Sequence, residues 1–281
     1  MSNQSSGMEE VLVIEPGRTE RHYWRDIWRY RELFYVLARR DLSVRYKQTV
    51  IGLLWAIIRP ALTVLVFTGI FGHIAKLPSE GTAPYPVMVL AGLLPWTLFA
   101  ASLSEASNSI INSAQLISKV YFPRLIVPAA TVVVAFVDFL ITFFFLIVIM
   151  VWYRFSPGWQ IALLPGFVIL GLLTSLGPAL WITALNVKYR DFRYVIPFIV
   201  QFGLYVSPVG FSSSVVPEQW RFMYSLNPMV GVIDGYRWCL LGGQSELYIP
   251  GLCVSLLTTI FFVWWGIKQF KKMEKGFADL L

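Results

Sequence analysis

Six apolar segments, long enough or nearly long enough to cross a lipid bilayer, constrain the fold of this chain more than any other feature. A hydrocarbon core about 30 Å thick requires roughly 20 helical residues at about 1.5 Å per residue. The segments cover about 50–75, 86–112, 125–153, 159–187, 194–211 and 248–267. Because lipid offers no hydrogen-bond partners, each segment must satisfy its own backbone as a helix. The sequence therefore predicts an all-α integral membrane protein with six transmembrane helices.

The composition also indicates that lipid is the solvent. The chain of 281 residues is 57% hydrophobic and 14% charged, whereas a soluble domain of this size carries about a quarter charged residues. The net charge of +7 would suit a nucleic-acid binder, but no recognition module accompanies it. Two cysteines, Cys239 and Cys253, and two histidines form neither a disulfide framework nor a metal-ligand pattern. We therefore predict no nucleic-acid partner and no metal site.

The lysines and arginines are distributed unevenly between the two ends of the predicted helices. With a cytoplasmic amino terminus, 18 of the 23 fall in loops on the cytoplasmic side, four lie on the opposite side, and Arg59 lies within the first span. This asymmetry follows the positive-inside rule and predicts that both termini are cytoplasmic. It also requires that residues 222–241 do not cross. They are interpreted as a re-entrant or interfacial hairpin broken at Asn227 and Pro228.

Residues 18–48 precede the first span and are predicted to form an amphipathic helix at the cytoplasmic interface. Its apolar face, spaced in alternating steps of four and three, comprises Tyr23, Ile27, Tyr30, Phe34 and Leu37. Trp24 and Trp28 suit the interface and the arginines suit anionic headgroups. Alternatively, the helix packs its apolar face on a protein partner. Residues 1–17 are expected to be disordered, and no removable signal peptide is predicted.

No catalytic or energy-converting motif occurs in the sequence. It contains no GxxxxGK[ST] phosphate loop, no GxSxG elbow and no HExxH zinc motif. Glu105 and Asp138 are the only acids within the predicted spans, fewer than a proton-coupled carrier uses. For each of them, a structural bond to a neighbouring helix is the alternative to a substrate or ion role. The chain is therefore expected to be a passive conduit and not an enzyme, with its energy supplied by a partner.

Several motifs, in a fixed order, resemble the membrane subunits of ABC-2-type exporters, particularly those that export lipid-linked polysaccharides such as O-antigen, capsule or teichoic acid. The motifs cover roughly 40–240 and are RYKQTVIGLLWAIIRP, AGLLPWTLF, SKVYFPRLIVP, NVKYRDFRYVIP, and SPVGFSSSVVP with the following LNP. The resemblance implies that 49–281 form an ABC-2 transmembrane domain in a bacterial inner membrane, with two copies forming the pore. It also implies two separate ATPase subunits that hold ATP and Mg²⁺, so that this chain carries no cofactor.

The family places a short coupling helix between spans two and three, which in this sequence falls at about 115–124. The resemblance implies that this helix inserts into a groove of the ATPase subunit and that the loop NVKYRDF flanks the same surface. The residues assigned to ATPase coupling are Lys119, Tyr121, Phe122, Arg124, Arg190 and Asp191. Without the family, the cationic loop between the spans is better explained as an anchor at the inner interface.

The family also places a hairpin of short helices between spans five and six, on the outer side, where the hairpin acts as a gate. Residues about 215–243 match this hairpin in position. The residues assigned to the outer gate are Pro217, Asn227, Pro228, Asp234 and Arg237. Asp234 and Arg237 are spaced i, i+3, a separation at which helical side chains can pair.

Two kinds of residue are candidates for the substrate path. Aromatic rings offer flat surfaces on which sugar C–H groups can stack and slide, and the candidates are Phe67, Phe71, Trp96, Phe99, Trp181 and Tyr205. The same rings could instead fill the helix core or an interfacial belt. Arg59, within the first span, is costly in lipid unless it meets an anion. That anion is either a lipid pyrophosphate headgroup or an acid such as Glu105.

These features predict a permease subunit of an ATP-driven exporter that moves a lipid-linked, O-antigen-like polysaccharide across the inner membrane. Its partners would be a second copy of the chain, two ATPase subunits, the glycan and membrane lipids. One alternative is an ABC-2 permease for a drug or another lipid. Another is a membrane-embedded enzyme acting on lipid-linked sugars, which would need at least two acids or a metal set at one membrane face.

Overall fold

A computed structural model describes residues 23–47, 52–189 and 191–277, and every regular element within these ranges is helical. The α-helices are α1 (Tyr23–Arg29), α2 (Arg31–Lys47), α3 (Gly52–Phe67), α4 (Tyr85–Asn112), α5 (Ala114–Ile117), α6 (Ile126–Trp152), α7 (Leu164–Lys188), α8 (Phe192–Val206), α9 (Glu218–Tyr224), α10 (Pro228–Leu240) and α11 (Ile249–Glu274). A π-helix, Thr68–Ile74, continues α3, and single 3-10 turns precede α7 and α9. The predicted all-α class is confirmed. The predictions for residues 1–17, for residues 18–22 and 48 of the predicted amphipathic helix, and for Arg190 lie outside the described residues.

Five of the helical segments are long and apolar enough to cross a membrane, and they correspond to predicted spans one to four and six. They are Leu54–Ile74, Tyr85–Asn112, Ile126–Trp152, Trp159–Lys188 and Ile249–Glu274. The predicted fifth span is represented by α8, which has 15 residues and is therefore about 22 Å long, shorter than a hydrocarbon core. It ends where Ser207 turns extended, because the following Pro208 disfavours helical geometry in the residue before it.

The apolar face predicted ahead of the first span is the face that packs. Tyr23 of α1 and Leu37 of α2 are 4% and 3% exposed, and Ile27, Tyr30 and Phe34 pack against the same cluster. Trp24 and Trp28 on the opposite side are 59% and 72% exposed. The partner for this face is the chain's own helices. The buried cluster that receives it includes Ile117, Phe122, Val187, Phe270 and Phe277.

The short elements gather at two opposite ends of the long helices. The end formed by α1, α5, the α7–α8 junction and the last turn of α11 is called the charged end here. The end formed by α9, α10 and the loop before α4 is called the hairpin end. At the hairpin end, the backbone N–H of Thr82 donates to Oε1 of Gln244 at 2.7 Å, and the Tyr224 hydroxyl donates to the carbonyl of Val206 at 2.8 Å.

The hairpin consists of two helices, α9 and α10, of 7 and 13 residues, each too short to cross a bilayer. Asn227 separates them, because its side-chain oxygen accepts a hydrogen bond from the Met229 N–H at 3.1 Å and so caps α10. Pro228 occupies the first helical position, where a missing N–H costs nothing. Almost every residue of α10 is buried, because it packs against α4, α7 and α11.

Helices α7 and α11 approach until their backbones touch. A Cβ atom added at Gly177 would lie 2.6 Å from the carbonyl carbon of Phe262 and 2.7 Å from the nitrogen of Val263. Nearby, the hydroxyls of Thr174 and Thr259 are hydrogen-bonded at 2.8 Å. Lipid provides no hydrophobic driving force between helices, so small residues that permit close packing stabilise such a contact. This contact holds α11 in a fixed position along α7.

Gly177→Ala is expected to destabilise the protein by about 1–3 kcal/mol, because the added methyl group forces two backbones apart. The measurement is the midpoint of thermal unfolding in detergent. Gly166→Ala on the same helix is the matched control, since nothing lies within 4 Å of a Cβ at that position. Its midpoint should stay unchanged or rise slightly, because alanine favours a helix over glycine. Equal midpoints for the two variants would contradict the close contact.

Candidate functional site

An ion-pair cluster forms where α2 meets α4 and α6. Nη1 of Arg45 lies 2.9 Å from Oε1 of Glu105, and its Nη2 pairs with a carboxylate oxygen of Asp138. The Tyr46 hydroxyl donates to the other oxygen of Asp138. Asp138 lies 12 residues after Ile126, the first residue of α6, which is about 18 Å along the helix. The last turn of α2 therefore reaches into the apolar region, where its cation neutralises acids that lipid would not tolerate unpaired.

A cavity of about 540 Å³ adjoins this cluster. It is lined by Arg45, Tyr46, Trp55, Ala56, Arg59, Pro60, Thr97, Ala100, Ala101, Ser104, Glu105, Asp138, Thr142 and Val200. The Arg59 side chain is exposed, and it forms no ion pair with any residue that the structure describes. The sequence analysis gave Glu105 as one of two possible partners of Arg59, but Glu105 is bonded to Arg45. The structure thus places Arg59 beside a partly polar cavity whose two acids are already paired.

A second cavity, of about 330 Å³, also adjoins the Arg45–Glu105 pair. Both residues line both cavities. The second cavity is closer to the charged end, since Arg40 and Asp41 of α2 and Asn112 at the end of α4 contribute to its wall. The ion pair therefore contributes to the walls of both cavities, one nearer the charged end and one deeper among the helices.

The predicted coupling segment is one helical turn followed by non-helical chain. The helix α5 spans only four residues, residues 118–120 form a turn and a bend, and residues 121–123 have no regular structure. Pro123 accounts for this, because it lacks an N–H and restricts the preceding residue to extended conformations. Helix occurs only in the first part of the predicted range of about 115–124.

The residues of this segment differ in accessibility. Lys119 is exposed and Tyr121 is 51% exposed. Burial raises the pKa of Tyr121, and the nearby carboxylates of Asp26 and Glu274 raise it further, so the hydroxyl is neutral at pH 7. Phe122, by contrast, is 3% exposed and belongs to the buried cluster of the charged end. The accessible part of the segment is therefore Lys119 to Tyr121.

Arg124 and the loop after α7 complete the predicted coupling set. The Arg124 backbone N–H donates to a carboxylate oxygen of Glu274 at 2.8 Å, and its guanidinium donates to the Glu274 carbonyl. Arg124 is thus engaged within the chain. Asp191 is exposed at the start of α8, and neighbouring Lys188 lies 5.1 Å from the ring centroid of Tyr189.

Arg237 holds the hairpin end together. Its side chain has no exposed surface. Its Nη1 donates to Oε1 of Glu80 at 3.2 Å and to the Phe211 carbonyl at 2.8 Å, and its Nη2 donates to the Val209 carbonyl at 2.8 Å. These bonds join α10 to the loop before α4 and to the loop after α8. Gly92 of α4 leaves the space for the guanidinium, since a Cβ there would lie 3.0 Å from Nη2.

The pair expected from the i, i+3 spacing of Asp234 and Arg237 is absent between these two described residues. Asp234 is 8% exposed, while the guanidinium of Arg237 turns toward Glu80. A buried cation gains more from a carboxylate together with two carbonyls than from a carboxylate alone. Of the remaining gate residues, Pro217 directly precedes α9.

The predicted pore-lining aromatics are placed in different surroundings. The rings of Phe67 and Phe71 are 5.3 Å apart, as are those of Trp96 and Phe99. Phe67, Trp96 and Phe99 belong to the larger core cluster, and partly buried Phe71 packs against it. Trp181 packs edge-on against Trp265 at 6.4 Å. Only Tyr205 of the six is mostly exposed, at 59%. Within one chain, these aromatics mainly fill the helix core.

Sequence reasoning did not single out Glu80, Glu274, Arg45 and Tyr46. For two of them a signal was present. Glu80 is the only acid in the loop 75–84, and Glu274 is the only acid in the lysine-rich tail 268–276. Because Lys76 and Lys271 lie four and three residues before these two acids, a local ion pair explains each acid equally well, and only the fold shows that Glu80 bonds to Arg237 and Glu274 to Arg124.

Comparisons with known proteins agree with the motifs. Residues 32–241 match the family described as ABC-2 type transporter. The chain is 28% identical over 260 residues to the O-antigen export system permease protein RfbA of Klebsiella pneumoniae, covering 89% of this chain and 95% of that protein. It is 27% identical over 257 residues to RfbA of Myxococcus xanthus, covering 91% and 97%. It is 24% identical over 250 residues to the polysialic acid transport protein KpsM of Escherichia coli, covering 85% and 93%.

The family match covers most of the chain, including every candidate residue from Arg45 to Arg237. It confirms the family that the motifs predicted, and it agrees with five helical segments capable of crossing a membrane. The chain therefore belongs to the ABC-2 type transporter family, as a multi-pass membrane protein.

Proposed function

We propose that this chain is the permease subunit of an ATP-driven exporter that moves a lipid-linked polysaccharide across a bacterial inner membrane. The observation that carries the proposal is the near end-to-end alignment with relatives named for O-antigen export and for polysialic acid transport, over 95% and 93% of their length. Two chemically different polysaccharides among the relatives favour a glycan polymer over a drug or a simple lipid as the cargo.

The cavity beside Arg59 is the proposed site for the headgroup of the lipid carrier. A guanidinium has five N–H donors in a planar fork that matches phosphate oxygens. Because the nearby acids are bonded to Arg45, the Arg59 donors remain available for a phosphate. Thr97, Ser104 and Thr142 add hydroxyls to the cavity wall, and Trp55 adds an aromatic face on which a sugar can stack.

The sequence contains no phosphate loop with which to bind ATP. The energy therefore comes from a separate ATPase subunit, which holds ATP and Mg²⁺. This subunit docks at the charged end, on the accessible Lys119 and Tyr121 and on the exposed loop that contains Asp191. The excess of lysine and arginine there supports a cytoplasmic location for the charged end. Two copies of the chain and two ATPase subunits form the transporter, and the hairpin is its outer gate.

The enzyme alternative is less well supported by the geometry. The structure does bring two acids, Glu105 and Asp138, to one place, as an enzyme would require. Both are bonded to Arg45, however, and the second oxygen of Asp138 accepts from the Tyr46 hydroxyl. The two acids are therefore engaged with the same cation and are not placed on either side of an open substrate position.

The headgroup site is tested by Arg59→Ala in the complex with the ATPase, reconstituted in nanodiscs. Loss of a charge-assisted phosphate contact should raise the glycolipid concentration for half-maximal stimulation of ATP hydrolysis by about tenfold or more. Basal hydrolysis should not change. Lys268→Ala, which removes an exposed cation on α11, is the control and should resemble the wild type. Parallel loss of basal and stimulated hydrolysis would indicate that Arg59 is structural.

The docking surface is tested by Tyr121→Ala, with co-purification of the ATPase as the measurement. Truncating a half-exposed aromatic anchor costs about 2 kcal/mol, so association should weaken about 30-fold. Lys119→Ala should have a small effect, because an exposed ion pair contributes about 0–1 kcal/mol. Phe122→Ala should instead lower the thermal stability of the chain alone, since Phe122 is buried. Normal association of the Tyr121 variant would contradict docking through this segment.

The orientation is tested with single cysteines in a Cys253→Ser background, because Cys253 is exposed and Cys239 is buried. Glu246→Cys at the hairpin end should react with an impermeant maleimide in spheroplasts. Gly276→Cys at the charged end should react only after the membrane is opened. Labelling of Gly276→Cys in intact spheroplasts would contradict the proposed orientation, because it would show that the charged end lies outside the cytoplasm.

A further inference from the structure

Glu274 joins three separate parts of the charged end. Its Oε1 accepts the backbone N–H of Arg124 at 2.8 Å, and its Oε2 accepts the Tyr23 hydroxyl at 2.9 Å. Its backbone carbonyl accepts from the Arg124 guanidinium. A carboxylate has two oxygens that can accept from two donors at once. One residue at the end of α11 is therefore bonded to both α1 and the segment after α5.

Aromatic rings enclose this junction. The ammonium of Lys271 lies 4.1 Å from the ring centroid of Tyr23, and the guanidinium of Arg124 lies 5.8 Å from that of Phe277. Phe277 has no exposed surface and packs edge-on against Phe270 at 5.5 Å. Burial, and the Glu274 carboxylate after it, raise the pKa of Tyr23, so this hydroxyl is protonated and donates at neutral pH. Partial exclusion of water strengthens these bonds.

The segment that Glu274 holds has little structure of its own. Residues 118–123 have no regular helix, and Lys119 and Tyr121 are exposed. A segment with few internal bonds deforms easily. Without an anchor, a displacement of this segment would therefore not be transmitted to the long helices. Phe122 anchors it to the buried cluster, and Glu274 anchors it directly to α11 at Arg124.

The other end of α11 contacts the hairpin. The Ser255 hydroxyl accepts from the Gly231 N–H of α10 and donates to the carbonyl of Ser225, both at 3.2 Å. The 26 residues of α11 form one continuous helix, about 39 Å long. The docking segment at one end and the hairpin at the other are thus bonded to the same rigid element.

We propose that Glu274 is a positioning residue that fixes the segment Lys119–Arg124 to α11, so that displacement of this segment moves α11 and, through it, the hairpin. The role of the segment as the ATPase contact rests on the proposed function. The attachment of the segment by Glu274 does not rest on it. The experiment therefore has one arm on the chain alone and one on the complete complex.

The first arm measures amide hydrogen exchange over residues 118–124 of the purified chain in nanodiscs. Glu274→Ala should speed exchange of the Arg124 amide about tenfold or more, because its acceptor is lost. Glu274→Gln should remain near the wild type, since the amide keeps an oxygen for Arg124 and an NH₂ group for Tyr23. Glu32→Ala, which removes an exposed carboxylate of α2, is the control. Unchanged exchange in Glu274→Ala would overturn the proposal.

The second arm measures glycan exported per ATP hydrolysed, at matched protein levels. Glu274→Ala should still bind the ATPase and hydrolyse ATP, but export per ATP should fall about fivefold or more, because the anchoring bonds are lost. Glu274→Gln should restore export. Normal export by Glu274→Ala, or a Glu274→Gln variant as defective as Glu274→Ala, would overturn the positioning role. A wild-type complex that hydrolyses ATP without export would count against the proposed function, whereas the exchange arm would still decide whether Glu274 holds the segment.

Discussion

A charged side chain among membrane helices is stable only when it meets an opposite charge or enough hydrogen-bond partners. In this chain that requirement ties together segments that are distant in sequence. Arg45 is 60 residues from Glu105, Arg124 is 150 residues from Glu274, and Arg237 is 157 residues from Glu80. Each pair brings a short helix or loop onto the long helices. The charged groups therefore determine how the short elements at both ends are attached.

The long helices themselves pack around α4. In the most apolar 18-residue stretch of each membrane-spanning segment, 72% of the α4 stretch is buried, compared with 17–33% in the other four segments. Helices exposed to this extent contact lipid or another protein, and the proposed second copy would cover part of that surface. Exposed Tyr205, Phe198 and Phe202 on α8 form one aromatic face that such a copy could cover. Within the single chain, the interior of the bundle is a packed core.

The two ends are attached to the bundle in different ways. At the hairpin end, Arg237 is fully buried and bonded to three partners, so opening would leave a charge unpaired in an apolar environment. At the charged end, Glu274 is only partly buried and its bonds lie close to water. The proposed gate is thus the more costly element to move, as expected of a barrier that opens only when energy is supplied.

Local patterns in the chain were sufficient to predict the all-α membrane class, the family, and both ends of α4 and α6 to within one residue. The predicted fourth span ends one residue before α7 does, but its first five residues form a 3-10 helix and α7 itself begins at Leu164. Hydropathy and helical period are properties of neighbouring residues, which is why the apolar face from Tyr23 to Leu37 could be identified from the sequence, whereas its contact with the chain's own helices could not. The partner of each charge was not predictable in this way. Glu105 bonds to Arg45 and not to Arg59, Arg237 turns to Glu80, and Phe122 is buried, because these contacts form between helices and depend on which faces pack together.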